Sequence, residues 1–148
     1  MALGDGFTSR LLAGLAEHLA AAAAGVWRPT GVYQAGETGI FIRAVPISPD
    51  RIITLAAYPA GSSPGISNTT VGVQVRLRGG KDPRDVDDLA DAVFDLLDSS
   101  GPHNWQGVGV SQVYRQSYSS LGQDSNGRWE RSENYYLDAE RPTVHRPN

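Results

Sequence analysis

The sequence predicts a small α+β domain: a mainly antiparallel sheet of about five strands with two helices packed on it, in the order α-β-β-β-α-β-β. Three observations carry that reading. Apolar residues recur at helical spacing in two separate stretches. Between and after them, β-branched and aromatic runs alternate with polar residues at the two-residue period of a half-buried strand. The links between strands are short, which favours antiparallel pairing over the helical crossovers of a doubly wound parallel sheet. At 148 residues the chain is long enough for one ordinary core and too short for two.

The first helix starts near Thr8 or Ser9, whose hydroxyls suit the N-cap. Leu12, Leu15, Ala16 and Leu19 form its apolar stripe, and Leu11 widens it. Alanines at 20–24 give it a smooth side, and Gly25 is the expected stop. Three strands follow. Residues 39–45 are β-branched and aromatic and end at Pro46 and Pro49; 51–58 centre on Ile52, Ile53, Thr54 and Leu55. In 70–78, Val71, Val73, Val75 and Leu77 alternate with Gly72, Gln74, Arg76 and Arg78. The Gly-, Pro- and Ser-rich residues 59–69 are expected to form a long mobile loop that orders only against a partner.

Asp82 or Asp85 opens the second helix with Pro83 in its first turn, and Val86, Leu89, Ala90, Val93 and Leu97 line its apolar face. Gly101 and Pro102 end it. Two further strands, from Val108 to Tyr118 and from Trp129 to Leu137, flank the hairpin-turn sequence at 122–127. Residues 1–138 form the expected domain, and 139–148 a flexible C-terminal tail without core contacts of its own.

Composition narrows the chemistry. Hydrophobic residues at 40% support a folded core, and a net charge of −3 argues against a broad nucleic-acid-binding surface. There is no cysteine, which rules out disulfides, thiolate metal sites and a Cys nucleophile. The apolar run at 19–26 is too short to span a bilayer and has no basic leader before it, so assembly in the cytoplasm is expected. Charge is uneven: seven aspartates fall between Asp82 and Asp98.

No catalytic, cofactor or metal site is expected. His18, His103 and His145 have no ligand spacing, and neither a nucleophile elbow nor a phosphate loop occurs. Asp124, Asn126, Gly127 and Glu133 fit four positions of a calcium loop, but Gly122 stands at the first, so a tight turn is the better reading. Two surfaces remain. One is the polar side of the third strand, Gln74, Arg76 and Arg78, whose guanidinium forks suit carboxylates. The other is the acidic helix, where Asp88, Asp91 and Asp95 could supply those carboxylates from an adjacent subunit. Tyr135 joins them as an interface candidate from the aromatic cluster of the last two strands.

Taken in order, the helix and Gly39-Ile-Phe-Ile, then Pro49-Asp-Arg-Ile-Ile-Thr-Leu55 and Tyr58-Pro59, then Val71-Gly-Val-Gln-Val-Arg-Leu-Arg-Gly79, then Leu121-Gly-Gln-Asp-Ser-Asn-Gly-Arg128 with Asn134-Tyr135, resemble the tail terminator proteins of long-tailed phages, a family often called minor capsid proteins. The resemblance implies a structural virion protein without catalysis. It implies a homomeric ring, commonly a hexamer, that caps the head-proximal end of the tail tube, stops tube polymerisation and offers a surface to the neck and head-completion proteins. DNA would pass through its lumen as cargo, with the acidic helix as a possible lining. Two other readings stay open: a neck or head-to-tail connector ring, and a small enzyme or ligand-binding module with a polar pocket around Gln74, Arg76 and Arg78.

Overall fold

The computed structural model describes residues 1–147 and contains two helices and seven strands: α1 (Phe7–Ala21), β1 (Val26–Trp27), β2 (Thr38–Ile42), β3 (Arg51–Ser62), β4 (Asn68–Arg78), α2 (Pro83–Leu97), β5 (His103–Trp105), β6 (Val108–Gln123) and β7 (Trp129–Glu140). The strands form one sheet in the order β1-β2-β3-β4-β7-β6-β5. The two helices and the longer strands lie where periodicity put them. The two added strands are two and three residues long, too short to show an alternation.

The sheet is mixed rather than antiparallel throughout. β1, β2 and β3 run parallel to one another, and β3-β4-β7-β6-β5 are antiparallel. The expectation failed at the link 43–50. A short link normally makes a hairpin, but Pro46 disfavours helical backbone at Val45, and residues 44–46 run without a bend before the chain bends at 47–50. Eight residues reach at most about 26 Å, so the link can bend at 47–50 and still carry the chain back along a five-residue strand. The link is therefore a strap across one face of the sheet, where Thr54 Oγ1 donates to Ala44 O at 2.7 Å.

α1 packs against strands from both ends of the sheet order, β1 and β5 included, so the sheet curls around it, while α2 lies on β4, β6 and β7. Ile53, Leu55, Val73, Val75, Leu77 and Leu137 share the helix-facing side with Leu11, Leu15, Leu19, Val93 and Leu97. Burying each of these large aliphatic side chains contributes about 1.5–3 kcal/mol relative to exposure. α1 is capped by Gly6 rather than by a hydroxyl, and it ends four residues before Gly25. Ala23 takes the left-handed conformation (φ 62°) usually given to glycine, and Ala24 N–H donates to Leu19 O at 3.0 Å. Close approach to the sheet comes from Gly14, not from the alanine run. A Cβ on Gly14 would stand 2.7 Å from Trp105 Cα.

Residues 59–69 are not one long loop. Six of the eleven lie in β3 or β4, whose ladder runs to the pair Ser62↔Thr69 with a register shift between Pro59 and Gly61. β2 ends opposite Leu55, so from Ala56 onward β3 is an edge and accommodates a proline. At the other end of the chain, β7 continues through Glu140 and Ala139 is in the core. Beyond it Arg141 N–H donates to Ser67 O at 2.9 Å, and Thr143 and Arg146 close a small turn.

Candidate interaction surface

The side of the sheet away from the helices is built by strand parity. Register sets Tyr58, Gly72 and Tyr136 side by side, and likewise Ala56, Gln74 and Asn134, and then Thr54, Arg76 and Ser132. These side chains bond to one another in rows. Tyr58 OH lies 3.2 Å from Asn134 Oδ1, Gln74 Nε2 donates to Ser132 Oγ at 3.1 Å, and Asn134 Nδ2 donates to Ser117 Oγ at 3.1 Å. Tyr58 covers Gly72 so closely that a Cβ there would meet its ring at 2.3 Å. Tyr114 and Tyr136 meet edge to face at 5.8 Å. The result is a broad polar and aromatic face on the outer side of the curled sheet.

Gln74, Arg76 and Arg78 of β4 have different fates on it. Gln74 is exposed. Arg76 is half-buried and pairs with Glu130, its Nη2 2.9 Å from Oε1. Arg78 is not at the surface at all, being only 3% exposed. Its Nε donates to Asp50 O at 2.7 Å, and its Nη2 to Pro46 O and Pro49 O at 2.7 Å each. The strap 43–50 has no ladder of its own there, and this guanidinium satisfies its carbonyls. Burial, with the Arg128 charge nearby, draws the Arg78 pKa below its ordinary value. Arg128 clamps the same strap through Ile47 O and Asp50.

Tyr135 is likewise corrected: it is fully buried on the helix side, opposite Val73 and Arg115. Burial raises its pKa, and the neighbouring Glu133 adds to the shift. The tyrosine on the open face is Tyr136. Sequence reading also missed the role of Glu133. It is fully buried and holds Arg115 at 3.1 Å and Arg131 at 2.9 Å, and Arg131 reaches Asp87 of α2 at 3.0 Å. The ring of Tyr118 lies against both guanidinium groups, 4.7 and 4.0 Å from its centre. The available signal was the spacing Arg131-x-Glu133-x-Tyr135, which puts two charges on the parity of a core residue.

Asp88, Asp91 and Asp95 are exposed along α2 and, among the described residues, have no cationic partner. The other acids at α2 are engaged: Asp82 caps the helix through Arg84 N–H at 3.0 Å, Asp85 accepts from Gly80 N–H at 2.7 Å and pairs with Arg51 at 3.2 Å, and Asp87 holds Arg131. Asp124 is used by its own turn, its Oδ1 accepting from Asn126 N–H and Arg128 N–H at 2.9 Å each. Glu133 is committed to arginines in the core. His103 stacks on Trp105 at 4.6 Å, and its Nε2 lies 2.9 Å from Ser100 Oγ.

A broad face of bonded polar and aromatic side chains has the composition of a protein–protein contact. Residues 18–141 match the family model described as bacteriophage tail terminator protein, and the chain belongs to that family, a structural family of the phage tail. No curated protein matches it. Membership places it among virion tail components that contact other tail and head proteins. No helix among the described residues is long and apolar enough to cross a membrane.

Proposed function

We propose that this protein forms a ring, six-fold as is common for such terminators, that caps the head-proximal end of the tail tube, stops tube growth and presents the surface that joins the neck. It assembles in the host cytoplasm. The observation that carries this reading is the family match across 18–141. The fold supports it with two unlike surfaces. Gln74, Arg76, Asn134 and Tyr136 lie on the open sheet face, and Asp88, Asp91 and Asp95 lie on the outer side of α2. A head-to-tail ring needs two different patches on each subunit. In this reading Arg78 and Tyr135 act inside the subunit and make no contact with a neighbour.

Electron microscopy of tails made without this protein tests the proposal. Overlong tubes, or tubes of ordinary length that fail to join heads, are expected. Tails of normal length that join heads in its absence would overturn it.

A further inference from the structure

β6 is sixteen residues long, yet its buried residues, Val108, Val110 and Val113, all lie in its first half. Its outer edge is covered only that far. β5 pairs with residues 108–110, and Val113 exchanges backbone bonds with Ser99 and Ser100 at 2.8 and 2.9 Å. Arg115 N–H then donates to Asp98 Oδ1 at 2.8 Å. Beyond Arg115 no strand among the described residues lies on the outer side, and residues 116–121 are all exposed.

A bare edge is normally blunted by lysine, proline or an inward charge, because its free N–H and C=O groups template another strand. The other open edge of this sheet is blunted. Leu55 O points outward, accepting from Arg43 N–H at 2.9 Å, so alternation also points the Pro59 nitrogen outward, where it has no hydrogen to donate. The segment 116–123 has neither proline nor formal charge. Register shifts bend it on either side of Ser117–Ser120, but that run is regular and carries the 53% exposed Tyr118.

We propose that the outer edge of β6 pairs antiparallel with the same edge of a second copy of this chain, about a two-fold axis near Tyr118 and Ser119. Self-pairing needs no second unblunted edge. Antiparallel order places the two Arg115 side chains at opposite ends of the contact, so no like charges meet. The inference goes beyond the tail reading, since a two-fold contact joins copies in pairs and cannot by itself close a head-to-tail ring.

The chain contains no cysteine, so single introduced thiols report directly. Residues facing their own copy across a two-fold have Cβ atoms about 5 Å apart, within reach of a disulfide. Ser119→Cys is expected to cross-link into a dimer under mild oxidation, and Ser62→Cys on the blunted edge of β3 is not. The pair Ser119→Lys and Leu121→Lys, with circular dichroism unchanged, is expected to weaken dimerisation in sedimentation by tenfold or more. Amides of 116–123 should exchange more slowly as protein concentration rises. A monomer at every concentration, equal cross-linking at 62 and 119, wild-type association of the double lysine variant, or protection of 116–123 that appears only when tails are added would each overturn the pairing.

Discussion

Arg76 and Arg78 are two positions apart on one strand face, and substitution should separate them. Arg78→Ala strips the strap 43–50 of the donor for three short backbone bonds. Leaving buried carbonyls unpaired should cost about 3 kcal/mol or more in urea unfolding. Arg76→Ala removes one half-exposed pair and should cost about 1 kcal/mol. Similar losses for both would contradict the strap-holding role. Glu133→Gln should cost about 3 kcal/mol by the same measurement, because Arg115 loses its buried counter-charge. Alternation on β4 was legible from Val73, Val75 and Leu77, but the strap that covers Arg78 was not, since nothing local marks 43–50 as lying over that face. Tyr135 and Tyr136 are adjacent and chemically alike. Only the pairing of Tyr135 with Val73 decides which one is core.

At the scale of elements, α1 meets β5 through Gly14, where any added side-chain atom collides with Trp105 backbone. Gly14→Ala gains helix propensity worth about 1 kcal/mol but overpacks a site that cannot yield, and should be destabilising by about 1–3 kcal/mol net in thermal unfolding. An unchanged or raised Tm would refute that contact. The loop between β1 and β2 is clasped by Arg28 and Glu37, with Nη2 to Oε2 at 2.7 Å. That hydrogen bond, together with the Gln34 N–H, holds the Glu37 carboxyl at about 2, well below its usual 4.5. The folded pKa is the depressed one, so the clasp contributes fully above pH 4.5 and is lost as pH falls toward 2. The Gln34 amide resonance should therefore titrate with a midpoint near 2, and Glu37→Gln should abolish the titration; a midpoint near 4.5 would contradict the clasp. The helices and long strands were legible because their periods extend over many residues. The parallel pairing of β2 and β3 was not, because it depends on where an eight-residue strap returns and not on the composition of either strand.

For the whole molecule, the order and spacing of strand patterns pointed to the family before the sheet was known, and the match across 18–141 agrees with that reading. The surfaces were less legible than the family. The acidic residues of α2 stand where helical periodicity placed them, while half of the sheet-face candidates proved to be internal supports. The protein's position in the virion is tested most directly by electron microscopy of intact particles with this protein tagged at an exposed terminus and marked with gold. Label is expected only at the head-proximal end of the tail tube, in one ring per tail. Label along the tube, at the distal tip or only on the head would contradict it.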